Sequence, residues 1–423
     1  MIRRAISEIA ALAPFRTRSF RFQWPADLCT ASAMEMETLI LGWYVLVESG
    51  SVTLLTIFGA LQFVGTLLSP LIGVVGDRLG ASKVLCAMRF CYALFAGVIL
   101  FLASTDQLSP IAVLVIAALS GLIRPTDIGL RSALVGATVP PSHLVAAMGI
   151  SRTTMDSAKI GGALLGTGFM AIFGMAPAYM VITGIYLAGA LLTLFTDGKP
   201  IASPASAVGI NAAPKASPWL DLKEGIVYIW RTPRMLASMS VAALVNLTAY
   251  PLTLGLMPYI ARNVFHLDQQ GLGQLVASFS LGALIGSIAI SVLGPYLRPA
   301  RTMVAACAIW FIFLLGFAMA SDVRVAMGLL LCAGIMQSLS MLTLTVILLR
   351  TSDQRFRSRI MGVRMLAIYP LPLGMLIAGA LIPRIGYQET AISMVVCGLL
   401  LTLALAITWR RDILPRDAPG NGM

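Results

Sequence analysis

The 423-residue chain contains little charge and few of the side chains on which most enzyme sites depend. Only 11% of its residues are charged, whereas soluble domains carry about a quarter. It has two histidines, and its six cysteines do not follow a metal-binding spacing. It also lacks the phosphate-binding GxxxxGK[ST] pattern, the HExxH zinc pattern and a nucleophile elbow. The low charge argues against a soluble domain. Because the motifs are missing, we expect no enzyme activity, metal or cofactor.

What the chain has instead is apolar sequence from end to end. Hydrophobic residues make up 58% of it, and the mean hydropathy is +0.89. A helix that crosses a lipid bilayer needs about 20 consecutive apolar residues. The sequence therefore predicts an all-α membrane protein with twelve spanning helices, near residues 25–48, 52–75, 84–104, 110–134, 144–171, 177–196, 235–260, 272–296, 302–320, 325–349, 360–383 and 390–409.

Basic residues give the chain a net charge of +12, but they are unevenly distributed. If the N-terminus lies inside the cell, the cytoplasmic segments carry 21 Lys and Arg residues and the outer loops carry three. This asymmetry follows the positive-inside rule. It predicts a multi-pass protein of a bacterial inner (plasma) membrane with both termini in the cytoplasm. It also accounts for the basic excess without a nucleic-acid partner.

The chain divides into two halves of six predicted helices each. Residues 197–218 are rich in Pro, Ala and Ser, which is typical of a flexible linker. The following WLDLKEGIVYIWR carries the apolar stripe of an interfacial helix. We therefore predict a first bundle over residues 1–196, a cytoplasmic linker with an interfacial helix over 197–234, and a second bundle over 235–423.

The two halves also resemble each other. The fifth predicted helix contains AAMGISRTTMDSAKIGGALLG, and the eleventh contains RIMGVRMLAIYPLPLGMLIAG. An offset of 213 residues aligns Met148 with Met361. A second match, at an offset of 218 residues, aligns GVVGDRLGASKVL with SVLGPYLRPARTM. Parallel six-helix repeats are an architecture of secondary transporters.

The loop GVVGDRLGASK, between the second and third predicted helices, resembles the signature loop of the major facilitator superfamily. The resemblance covers essentially the whole chain and implies twelve helices in two six-helix bundles related by a pseudo-two-fold axis. It also implies a conformational latch in which Asp77 pairs with a basic group, with Arg131 as the candidate, or faces a helix N-terminus. The latch residues are Gly73, Asp77, Arg78, Gly80, Lys83 and Arg131.

Two further stretches, LIRPTDIGLRSALVGATVPP and EGIVYIW, are similar to an efflux branch of this superfamily that includes macrolide pumps and siderophore exporters. This similarity implies a monomeric secondary transporter that exports a drug-like compound or a siderophore against proton entry. However, Gly162 stands where a Gly-Pro pair would be expected in an antiporter. Uptake of a small anionic metabolite, by proton symport or down a gradient, is therefore the alternative.

Charges inside predicted helices are the strongest signal for a site, because an ionised side chain facing lipid costs at least a few kcal/mol. They form three sets, each within one helix. The first helix carries Asp27, Glu35 and Glu37, the fourth carries Arg124, Asp127 and Arg131, and the fifth carries Arg152, Asp156 and Lys159. In the fourth and fifth helices the spacing puts all three charges on one face, where the bases suit carboxylate or catecholate groups.

The repeat helps to separate function from structure in these sets. At the 213 offset, Arg124 corresponds to Gln337 and Asp156 to Tyr369, so the second half forms the same helices without these charges. We predict the substrate-cavity residues Arg124, Asp127, Arg152, Lys159, Gln337 and Tyr369. The proton-coupling candidates are Glu35, Glu37, Asp27 and Asp156, with Glu35 preferred and Asp156 expected to balance two bases. The alternative is an ion network that only holds the helices together.

Overall fold

All regular structure in the part of the chain described by the computed structural model is helical, as predicted. The described residues are 10–67, 79–196, 218–293, 296–352, 360, 363–364 and 366–410. The α-helices are α1 (Arg18–Ser49), α2 (Val52–Leu61), α3 (Ala81–Ser104), α4 (Pro110–Thr138), α5 (Leu144–Phe173), α6 (Met175–Leu194), α7 (Pro218–Arg231), α8 (Pro233–Thr248), α9 (Gln269–Leu293), α10 (Pro299–Met319), α11 (Val323–Thr351), α12 (Pro370–Ile385) and α13 (Tyr387–Thr408). A single α-helical turn, Met257–Tyr259, follows α8, and 3₁₀ turns occupy Ala10–Arg16, Val64–Leu67 and Pro141–His143.

Within these ranges, seven helices are long and apolar enough to cross a membrane, and shorter apolar helices accompany them. The seven are α3, α4, α6, α9, α10, α11 and α13. Most of the predicted spans agree with a helix of the structure to within a few residues. The second and the eleventh differ. In the second, the α-helix ends at Leu61 and a turn and a 3₁₀ helix follow. In the eleventh, residues 360, 363–364 and 366 are helical, a turn follows at 367–369, and α12 begins at Pro370. Proline is favoured there because it lacks the N–H that a first helical turn leaves unbonded.

The seventh predicted span is not one continuous helix. α8 ends at Thr248, and two π-helical turns follow at Pro251–Gly255 and Ile260–Val264. Pro251 has no N–H to donate to the carbonyl of Leu247, so the regular ladder breaks there. That carbonyl faces Gly374 of α12, where an added Cβ would lie only 2.1 Å from the oxygen. The hydrophobic pattern alone does not reveal this break.

The contacts divide the chain into two compact units. The first contains Met1–Glu48 and Leu61–Lys215, and the second contains Ser49–Ala60 and Ala216–Met423. Most of α2 therefore belongs to the second unit, where Thr53 Oγ1 donates a 3.0 Å hydrogen bond to the carbonyl of Gly379. The sequence pattern did not indicate this assignment of α2.

Both units contain the same glycine-mediated helix contact. In the first unit, a Cβ added to Gly121 of α4 would lie 2.0 Å from the carbonyl oxygen of Leu61. In the second unit, a Cβ added to Gly334 of α11 would lie 2.1 Å from the carbonyl oxygen of Phe279. The two contacts are related by the sequence offsets of 213 and 218 residues. The repeat in the sequence thus corresponds to repeated packing, in which small residues let helix backbones approach closely.

Candidate functional site

A buried ion network lies inside the first unit and is centred on Asp27 of α1. Arg89 of α3 is fully buried and donates hydrogen bonds to Asp27 Oδ1 and to Thr193 Oγ1 of α6. Arg131 of α4 places its Nε 3.8 Å from the same Asp27 oxygen. The Asp27 carboxylate therefore links α3 and α4 to α1, and Arg89 extends the link to α6.

Arg131 also forms an ion pair with Asp127, one turn earlier on α4. Its backbone carbonyl accepts a 3.0 Å hydrogen bond from Gln23 Nε2 of α1. Both Asp127 and Arg131 are almost completely buried. The network contains two carboxylates and two guanidinium groups, Asp27, Asp127, Arg89 and Arg131, so its charges balance. Such compensation is the condition under which charges are tolerated in an apolar interior.

Arg124 lies two turns before Arg131 on α4 and has a different environment. Its guanidinium donates hydrogen bonds to Gln62 Oε1, to Thr38 Oγ1 at 2.9 Å and to the carbonyl of Met34 at 3.0 Å. All three acceptors are neutral, and no carboxylate of the described residues lies within ion-pair distance of Arg124. The side chain is partly exposed. The first unit therefore holds one guanidinium in a fixed orientation without a contacting counter-charge.

The sequence matches the model of a known protein family. The family model of the Major Facilitator Superfamily matches residues 28–372. The chain belongs to this superfamily. No curated protein matches the sequence.

Several solved transporters have a similar fold. A bacterial homologue of the human lysosomal transporter Spinster, in an inward-facing and unoccupied conformation, aligns over 95% of this chain and 98% of its own, with a TM-score of 0.71 and 13% identity. The nucleoside transporter NupG aligns over 92% and 99%, with a TM-score of 0.69 and 14% identity. The human organic anion transporter MFSD10 aligns over 92% and 99%, with a TM-score of 0.60 and 14% identity. At these identities the likeness shows the fold alone.

In this superfamily member, the predicted charge trio of α5 is only partly brought together. Asp156 is buried and accepts a 3.1 Å hydrogen bond from Arg152 Nε. The Arg152 side chain is 50% exposed. Lys159 is exposed and makes no ion pair within the described residues. The expectation that Asp156 balances both bases is therefore met for Arg152 and not for Lys159.

The two glutamates of α1 point to different neighbours. Glu37 is buried and accepts a 2.8 Å hydrogen bond from the hydroxyl of Tyr186 on α6. Glu35 is partly exposed and packs against α5, where a Cβ added to Gly162 would lie 2.8 Å from Glu35 Cβ. Among the described residues, Glu35 has no hydrogen-bond or ion-pair partner. The two acids of α1 therefore face different helices, Glu37 facing α6 and Glu35 facing α5.

In the second unit, the predicted cavity residue Gln337 contacts a neutral partner. Gln337 Nε2 donates a 2.7 Å hydrogen bond to the hydroxyl of Tyr250. Tyr250 in turn packs edge-to-face on Trp310, with ring centroids 5.3 Å apart. Tyr369 is partly buried at the residue preceding α12. Their contact with a substrate remains a prediction.

Half of the predicted latch lies outside the described residues, which exclude Gly73, Asp77 and Arg78. Gly80 precedes α3 with φ of +93°, a conformation that L-residues rarely adopt, and Lys83 is exposed. Arg131, the predicted partner of Asp77, already contacts Asp127 and Asp27.

Sequence reasoning missed several members of the site. Arg89 was a lone arginine inside the third predicted span, and the cost of a charge there was sufficient reason to single it out. Gln62 and Tyr186 are neutral, and the sequence alone gives no indication that they contact Arg124 and Glu37. Their roles depend on which helices are neighbours in space.

Proposed function

We propose that this chain is a proton-coupled secondary transporter of an organic solute that carries an anionic group. The observation that carries the proposal is the guanidinium of Arg124, which is oriented by Gln62, Thr38 and Met34 without a contacting carboxylate. A guanidinium binds carboxylate and similar anions through strong, directional hydrogen bonds. An anionic group of the solute would supply the missing counter-charge. Solute and proton would cross by alternating access of two six-helix halves.

Export of a drug-like compound or siderophore against proton entry is the direction that the efflux-like stretches favour. Export against proton entry is an exchange, in which binding of the solute and binding of the proton must weaken each other. In uptake by symport, binding of each must strengthen binding of the other. Arg124 and Glu37 interact electrostatically, so an anion placed on Arg124 would offset its charge and favour a proton on Glu37. This geometry supports symport for an anionic solute, whereas a cationic solute would be exchanged for a proton.

The direct test is flux in proteoliposomes that contain the full chain. Matched aromatic solutes of different charge, benzoate, benzylammonium and benzyl alcohol, would be presented with an imposed pH gradient of either sign. We expect gradient-dependent movement of the anion, in the same direction as the proton. Movement of the cation alone, opposite to the proton, would instead support export by exchange. Flux that is indifferent to the pH gradient would contradict proton coupling.

Membrane orientation belongs to the same proposal. Both termini and the 197–218 linker would lie in the cytoplasm, because basic residues are concentrated in these segments. A reporter fused within the linker should be active on the cytoplasmic side, and reporters near Asp106 or Gln388 on the periplasmic side. The opposite pattern would contradict the orientation and the bacterial inner-membrane topology that we propose.

A further inference from the structure

The interior of the first unit contains a second polar cluster, which the charge pattern of the sequence does not reveal. It consists of Glu37 of α1, Tyr92 of α3, and Tyr179 and Tyr186 of α6. All three tyrosines are at most 3% exposed. The rings of Tyr92 and Tyr186 lie with centroids 5.7 Å apart, and the Tyr186 hydroxyl bonds to Glu37. Glu37, Tyr186 and Tyr92 thus lie close together in the core of the bundle, and Tyr179 lies two turns before Tyr186 on α6.

The carboxyl of Glu37 differs from the other buried acids of the first unit in what it contacts. Asp27, Asp127 and Asp156 each contact an arginine. Within the described residues, the one hydrogen-bond donor to Glu37 is the neutral phenol of Tyr186. A buried carboxylate without a cation in contact carries a large desolvation cost, which the neutral acid avoids.

Other charged and titratable groups also face this cluster. Arg124 of α4 interacts electrostatically with Glu37 but lies beyond ion-pair distance of it. The hydrogen bonds of its guanidinium go to Gln62, Thr38 and Met34 instead. Tyr179 and Tyr186 of α6 and Tyr92 of α3 also interact with Glu37. When Glu37 is neutral, the charge of Arg124 is left for an anionic ligand.

Two of the phenols have unused hydrogen-bonding capacity. The buried hydroxyls of Tyr92 and Tyr179 have no hydrogen-bond partner among the described residues, and neither has Thr183 Oγ1, one turn beyond Tyr179 on α6. Buried polar groups are nearly always hydrogen-bonded, to protein or to ordered water. Tyr92 also interacts electrostatically with Asp127 of the ion network. The cluster therefore has the polar lining that a buried water molecule needs.

We propose that Glu37 is the residue that binds the transported proton, in a hydrated pocket lined by Tyr92, Tyr179 and Tyr186, rather than Glu35. One proton from water adds to the Glu37 carboxylate to form the neutral acid, and the same proton returns to water when the acid ionises. Tyr186 keeps its hydrogen bond to the carboxyl oxygen in both states and positions the group. This inference rests on the proposed proton coupling, but its test requires no solute.

The test is infrared spectroscopy of the full chain in lipid as the pH is stepped from acidic to alkaline. A protonated carboxylic acid has a carbonyl stretch that is separate from the amide and carboxylate bands. We expect the wild-type protein to lose one such band on alkalinisation, and Glu37→Gln to lack that band at every pH. The matched variant Glu35→Gln should keep it unchanged. If Glu35→Gln removes the band and Glu37→Gln retains it, the assignment is overturned.

Tyr186→Phe provides a second readout that does not depend on replacing the carboxyl group. It preserves the ring and its packing but removes the hydrogen bond, so the carbonyl band should persist at a shifted frequency. An unshifted band would contradict the pocket, even if Glu37→Gln proved too unstable to measure. Because this experiment uses no solute, a normal band combined with absent solute flux would overturn the proposed transport and leave the proton site intact.

Discussion

The two units pack their helices in a similar way but bury different chemistry. The close approach at Gly121 in the first unit is repeated at Gly334 in the second. The first unit buries Asp27, Arg89 and the other members of the ion network. At the repeat position of Asp127, the second unit has Ser340, whose hydroxyl donates a 3.0 Å hydrogen bond to a backbone carbonyl. The fold can therefore be built without buried ions, which supports a role for those ions in transport.

The largest expected effect comes from breaking the charge network. Asp27→Asn leaves Arg89 buried without its carboxylate, and breaking a buried pair from one side costs about 3–5 kcal/mol. Thermal unfolding in detergent should show a strongly lowered Tm and poor yield. The comparison variant in the second unit is Ser340→Ala, at the repeat position of the network member Asp127, which removes one neutral hydrogen bond worth about 1 kcal/mol. Equal losses in the two variants would contradict the contrast between the units.

A methyl group added at either of the two glycine contacts should lower thermal stability by a similar amount. Gly121→Ala and Gly334→Ala each push a Cβ against a backbone carbonyl that cannot rotate away, and overpacking typically costs about 1–3 kcal/mol. Gly129→Ala and Gly328→Ala on the same two helices are the controls, because an added Cβ there meets nothing within 4 Å. Thermal unfolding should show two similar losses and two neutral controls. A loss at only one contact would argue against equivalent packing.

The charge pair of α5 should give the smallest effect. The spacing on α5 predicts that Asp156 balances two bases, and breaking such a buried pair from one side would cost about 3–5 kcal/mol. In the structure Asp156 contacts Arg152, which is half exposed, and the exposed Lys159 forms no ion pair with any described residue. Asp156→Asn leaves Arg152 with access to solvent rather than buried, and ion pairs in contact with solvent are worth about 0–1 kcal/mol, so the variant should lower the Tm only slightly. A loss as large as that of Asp27→Asn would restore the sequence-based expectation.

The sequence predicted the features that depend on composition and repeat spacing. Apolar length predicted the helices. The 213 offset relates Gly121 to Gly334, and the 218 offset relates their contact partners Leu61 and Phe279. The sequence did not predict features that depend on spatial neighbours. The spacing of Arg124, Asp127 and Arg131 gave them one face, but it could not show that Arg131 contacts two acids while Arg124 contacts neutral oxygens. The break after α8 was also missed, because π turns have no hydrophobic signature.

The most direct test of the central claim, that the first unit carries the coupled binding, compares two corresponding positions. Arg124→Gln and Gln337→Ala change the same place in the repeat, one in each unit. Both variants would be reconstituted into proteoliposomes and assayed for solute flux driven by an imposed pH gradient. We predict that Arg124→Gln abolishes gradient-driven flux of the anion, whereas Gln337→Ala retains most of it. Retained flux in Arg124→Gln together with lost flux in Gln337→Ala would contradict coupled binding in the first unit.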